Sequence, residues 1–76
     1  MKERRYTIIL RPEPEGGFSV TVPALPGCVT QGETMEEAVA MAKDAIRIYI
    51  ESLVSDGDDV PEETAPATAL IVTVAA

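Results

Sequence analysis

The sequence predicts a single α+β domain in the order βββαβ: a mostly antiparallel sheet with one helix packed on one face. Three observations carry this. Two short alternating segments flank a Gly-Gly pair, a long amphipathic stretch follows a helix-start signal, and an apolar β-branched run comes last. With 76 residues and no repeat, the chain is read as one domain, 1–76.

The first strand is predicted over residues 5–11, where Tyr6, Ile8 and Leu10 share one face. Residues 18–22 alternate cleanly, with Phe18, Val20 and Val22 on one side. Between them lies PEPEGG, whose Gly16 and Gly17 can supply the positive φ that closes a hairpin. Pro12 and Pro14 limit how far the first strand runs into that loop. Pro23 ends the second strand, and Pro26-Gly27 suits the two central positions of a type II turn. Cys28 to Gly32 then reads as a third strand, with Gly32 freeing the backbone before the helix.

Thr34-Met35-Glu36-Glu37 is a capping-box pattern, in which Thr34 accepts from the Glu37 N–H and the Glu37 carboxylate reaches back to Thr34. The helix is predicted from Met35 to Ser55, stopping near Gly57. At 100° per residue its polar side is narrow, and the apolar arc spans about 200°, wider than a helix lying on one small sheet requires. Met41 and Ile48, seven residues apart, fall beyond the sheet-facing stripe and are expected to contact another copy. Residues 55–67 are acidic and proline-bearing, hence a loop. Residues 68–75 are the expected last strand. Leu70, Val72 and Val74 lie on one face and Ile71 on the other, so the strand is either buried within the chain or exchanged with another subunit. Leu70 and Val72 therefore join the candidate interface. A chain this short has a small core, and self-association as a dimer or tetramer is the expected support.

Composition narrows the function. Residues 1–11 carry four basic residues against one acid, and residues 12–76 carry two against twelve. So acidic a body repels phosphate backbones and suits a basic partner; Lys2, Arg4 and Arg5 read as solubilising charges, not as a DNA contact. No apolar run is long enough for a transmembrane helix, and MKERRY does not begin a signal peptide. A lone cysteine fits a reducing compartment, so the cytoplasm is the expected location.

No reaction can be read from the residues. Cys28 has no histidine anywhere in the chain to act as its base, and it reads as a small buried apolar residue. Asp56, Asp58 and Asp59 around Gly57 fail the spacing of a calcium loop. No cofactor, metal or catalytic residue is expected; recognition is.

The ordered set Tyr6, Gly16-Gly17-Phe18, Val22-Pro23-x-Leu25-Pro26-Gly27-Cys28, Gln31-Gly32-x-Thr34 and Glu36-Glu37-Ala38 resembles the HicB-like antitoxin family from about Tyr6 to Pro61. The resemblance implies a partly degraded RNase H-like βββαβ fold without nuclease activity. It also implies direct neutralisation of a small, basic HicA-type toxin, an mRNA-cleaving ribonuclease, in a type II toxin–antitoxin system. By location at the strand ends, Glu13, Glu15, Leu25 and Glu33 are the expected toxin contacts. Longer relatives of this kind repress their own operon through a C-terminal DNA-binding domain; the sequence stops at Ala76, and no operator role is expected. Ala24 stands where such proteins often carry an acid. The competing expectation is an oligomeric assembly or regulatory module with no toxin.

Overall fold

A computed structural model describes residues 3–63 and 68–76. Three strands, β1 (Ile9–Pro12), β2 (Phe18–Thr21) and β3 (Val29–Gly32), precede one helix, α1 (Met35–Ser55). The strands form an antiparallel sheet in the order β1-β2-β3, with Leu10 opposite Val20 and Val20 opposite Thr30. The α+β class and the first four elements are as the pattern requires.

The hairpin closes as its glycines allow: Gly16 and Gly17 both have positive φ. The Gly16 N–H donates to the Glu13 carbonyl at 3.0 Å, and the Glu13 N–H to the Gly17 carbonyl at 3.0 Å. The β1 ladder begins at Ile9 and not at Arg5, because continuing the register would set Thr7 against Pro23, which has no N–H to pair. Residues 5–8 are therefore outside the ladder.

Helix α1 has the predicted bounds, and both ends show why. Thr34 Oγ1 accepts from the Glu37 N–H at 3.0 Å. The returning bond differs from expectation: Glu37 Oε1 accepts from the N–H of Glu33 at 3.1 Å, one residue before Thr34. At the far end Gly57 adopts φ 75°. Its N–H donates to the Val54 carbonyl and the Asp58 N–H to the Leu53 carbonyl, a complete Schellman stop.

Two small clusters make the core. Val20, Ala38 and Ala42 pack with Ile8, Leu10 and Phe18 between sheet and helix. Val22, Leu25 and Cys28 pack beneath Tyr6, Ala45, Ile46 and Tyr49. Between sheet and helix the spacing is set by Gly32. Its φ is not positive, so the expected backbone freedom is not its role. A β-carbon there would lie 2.4 Å from the Ala38 nitrogen and 2.6 Å from the Ala38 Cα. The first turn of α1 rests directly on the end of β3, and only glycine permits that approach.

The predicted last strand is not formed. Residues 68–76 have no strand assignment, and Leu70, Ile71, Val72 and Val74 are 81%, 98%, 76% and 74% exposed. A strand needs a neighbour to pair with, and no described residue pairs with this segment in a ladder. The acidic loop expected over 55–67 lies partly outside the described residues, at 64–67, as does Lys2.

Candidate functional site: an acidic end of the sheet

The β1–β2 turn and the β3–α1 junction meet at one end of the molecule. A β-carbon on Gly17 would fall 2.9 Å from the Gly32 carbonyl oxygen and 3.5 Å from the Glu33 Cα. The hairpin tip therefore lies against the residues that start the helix. This contact gathers Glu13 and Glu15 from the hairpin with Glu33 from the junction, and all three are exposed. Glu36 and Glu37, in the first turn of α1, extend the same end and are exposed as well. The sequence signal for those two was already present in the capping box; only their nearness to the hairpin required the fold. Arg11, two residues before Glu13 on β1, is a cation close to this end.

Leu25 does not belong to that surface. It is 0% exposed, and residues 22–28 fold over it as two consecutive turns. The Leu25 N–H donates to the Val22 carbonyl and the Cys28 N–H to the Leu25 carbonyl, each at 3.0 Å. Gly27, with φ 80°, occupies the position where a type II turn demands it. The Tyr49 hydroxyl then donates to the Pro26 carbonyl at 2.7 Å, tying the turn to α1. The Leu25-Pro26-Gly27-Cys28 stretch is thus a core plug, with Leu25 its central side chain. An apolar residue flanked by prolines reads as a loop tip until the fold shows which way it turns.

Cys28 is buried and free. Burial raises its pKa above the ordinary thiol value, because the thiolate would lose hydration without gaining a partner. The thiol therefore stays protonated at neutral pH, as a packing residue should. Two consequences can be measured. At pH 8 a thiol reagent should modify Cys28 in native protein at least about tenfold more slowly than in urea-unfolded protein. A folded-state pKa above the unfolded one also means that stability is intact below the unfolded pKa and falls as pH rises through the folded pKa. A Cys28→Ala variant should lose that part of the alkaline decline.

Among the described residues no group of three or more His, Cys, Asp or Glu side chains could hold a metal ion. No described helix is long and apolar enough to cross a membrane. Of the residues expected to meet another copy, Met41 and Ile48 are 43% and 60% exposed on α1, on a side of the helix that no described residue of the chain covers as core.

The sequence is similar to those of known proteins. A UPF0150 protein of Thermoplasma acidophilum is 48% identical over 61 residues, covering 80% of this chain and 88% of its own length. A second UPF0150 protein, from Synechocystis, is 45% identical over 58 residues, covering 76% of this chain and 73% of its own. Antitoxin HicB 1 of Photorhabdus laumondii is 41% identical over 61 residues, 80% of this chain but only 39% of that longer protein. The family described as the HicB_like antitoxin of bacterial toxin-antitoxin systems matches residues 6–72. That span takes in the hairpin, the Leu25 plug, the Gly32 contact and all of α1, and the chain belongs to the HicB-like antitoxin family.

Proposed function

We propose that the protein neutralises a small, basic, HicA-type mRNA-cleaving toxin by direct contact through the acidic end formed by Glu13, Glu15 and Glu33, with Glu36 and Glu37 beside them. The observation that carries this reading is the convergence of hairpin and helix start, which sets exposed carboxylates from two separate loops on one surface. Complementary charge of this kind steers encounter and fixes orientation. The chain itself supplies no chemistry in this reading; it works by covering the toxin's RNA-binding surface. The cytoplasm, where a toxin acting on mRNA is found, is the compartment in which the pair would meet.

Substituting Glu13→Lys, Glu15→Lys and Glu33→Lys together should weaken toxin binding by at least about tenfold, or ~1.4 kcal/mol, in calorimetry at low salt. The difference should shrink as salt is raised toward 1 M, where the Debye length falls to about 3 Å. Because all three side chains are exposed and outside the core, the thermal midpoint should move little. Unchanged affinity in the folded triple variant would remove the acidic end from the interface.

A second reading, a self-assembling module that acts without a toxin, is favoured by the exposed Met41 and Ile48 on α1. A Met41→Asp, Ile48→Asp protein that keeps the wild-type mass in light scattering would take away that support.

A further inference from the structure

Along one flank of α1 lies an apolar groove of about 650 Å³, walled on its other side by the segment that leads into β1. Its floor is Ile8, Val39, Ala42, Ile46 and Ile50. The four floor residues of α1 recur every three or four positions, so they make one stripe about 16 Å long. The two walls run side by side. Ile8 packs with Ala38 and Ala42, Tyr6 with Ala45, Ile46 and Tyr49, and Arg4 and Arg5 continue that wall toward Ile50.

Charge distinguishes this groove from a bare apolar patch. Arg4, Arg5, Lys43 and Arg47 line it against one acid, Glu51, in a chain of net charge −7. Arg47 is already paired with Asp44 at 3.1 Å and lies 3.9 Å from Glu51. Arg4, Arg5 and Lys43 make no ion pair among the described residues, and all three are exposed. The groove therefore joins an apolar floor to three uncommitted cations at its mouth.

We propose that the groove binds a soluble single-chain amphiphile with an anionic head, of the class of medium-chain carboxylates. The tail lies on Val39, Ala42 and Ile46, and the head meets Arg4, Arg5 and Lys43. A volume of about 650 Å³ falls within the roughly 300–1,000 Å³ usual for small-ligand sites. An extended ten-carbon chain measures about 11 Å at C–C bonds of about 1.5 Å, so it fits along the stripe. Its carboxylate then reaches the arginines, whose planar forks match a carboxylate with two parallel hydrogen bonds. Burial of the tail supplies affinity, and the cations decide which head is accepted.

Other occupants fit less well. Residues 68–76 expose apolar side chains but carry no charge, so covering the floor with them would leave the three cations unmatched. A bilayer meets a flat patch, whereas this floor is recessed: Ala42 is buried and Val39, Ile46 and Ile50 are half-buried below exposed cations. A basic toxin is repelled by the same rim. The site is thus separate from the acidic end and does not rest on the function proposed for it.

Decanoate and decyltrimethylammonium share a tail length and differ in head charge, and below their micelle concentrations they test this on the full chain. Decanoate should shift the methyl NMR signals of Ile8, Val39, Ile46 and Ile50 and bind at least about tenfold more tightly than the ammonium. Arg4→Glu, Arg5→Glu and Lys43→Glu together should reverse that order. All three positions are exposed, so circular dichroism should show an unchanged fold. Four results would overturn the proposal: no shift of the floor methyls with decanoate; equal affinity for the two heads; an unchanged preference in the folded triple variant; or shifts confined to Leu70, Val72 and Val74. Phosphatidylglycerol vesicles that shift the same floor methyls as strongly as decanoate would also overturn it, in favour of a membrane surface. The comparison of the two heads on wild type decides the matter even if the triple variant does not fold.

Discussion

Gly32→Ala is expected to cost about 3 kcal/mol or more, a large share of the stability of so small a domain. The added methyl would overlap the Ala38 backbone at 2.4 Å. Backbone cannot swing aside as a flexible side chain can, so the first turn of α1 must lift from β3. Overpacking commonly costs about 1–3 kcal/mol, and a clash with main chain belongs at or above the upper end. For 76 residues the whole stability is only about 4–11 kcal/mol. Urea unfolding should therefore show the midpoint falling by about 2 M, taking a slope near 1.5 kcal/mol/M. Gly27→Ala gives the internal comparison. Its φ is 80°, but nothing lies within 4 Å of the added carbon, so only the left-handed backbone is penalised, by about 1 kcal/mol. Equal losses at the two positions would show that contact with α1 is not what Gly32 provides.

Leu25→Ala should cost about 3–5 kcal/mol, the second large effect. Leu25 and Val20 are the largest side chains to be fully enclosed, and Leu25 holds Val22 and Cys28 against Tyr6, Ile46 and Tyr49. Truncation leaves a cavity roofed by two tight turns, which have little freedom to collapse. For a domain of this size the thermal midpoint should drop by about 15–25 °C. The expected pattern is opposite to that of the Glu13, Glu15 and Glu33 reversal: stability lost here, affinity lost there. A Leu25→Ala protein that stays stable but fails to bind would return Leu25 to the interface.

These residues also show how far the sequence reaches. The hairpin, the helix cap and the helix stop depend on neighbours within a few positions, and each is where the pattern puts it, save that Glu37 returns to the Glu33 N–H and not to that of Thr34. Gly16 and Gly17 close the turn, Thr34 caps, and Gly57 ends α1. What the sequence conceals is contact between distant elements. Leu25 looks like a loop tip because its burial depends on Tyr49, 24 residues on. Gly32 looks like a flexible joint because the atom that forbids a side chain there belongs to Ala38. The strand expected over 68–75 is not formed, because an apolar alternating pattern does not supply the partner that a strand needs. The acidic end follows the same rule: each glutamate is plain in the sequence, and their grouping comes from Gly17 lying against the β3–α1 junction.

The charge of the chain is likewise divided in space. Arg4, Arg5, Lys43 and Arg47 border the apolar groove, while Glu13, Glu15, Glu33, Glu36 and Glu37 occupy the end where hairpin and helix start meet. The acidic end is built from β1–β2 and β3–α1, and the groove from the approach to β1 and the flank of α1.

The central claim, direct neutralisation of a basic ribonuclease toxin, is tested most directly by RNA cleavage. The HicA-type toxin of the same cell should be assayed on mRNA with stepped amounts of this protein, and the mixtures weighed by native mass spectrometry. The account predicts that cleavage stops as the protein reaches equivalence with toxin, with a complex of the two at that ratio. Undiminished cleavage in excess protein, with toxin and protein running as separate species, would contradict it.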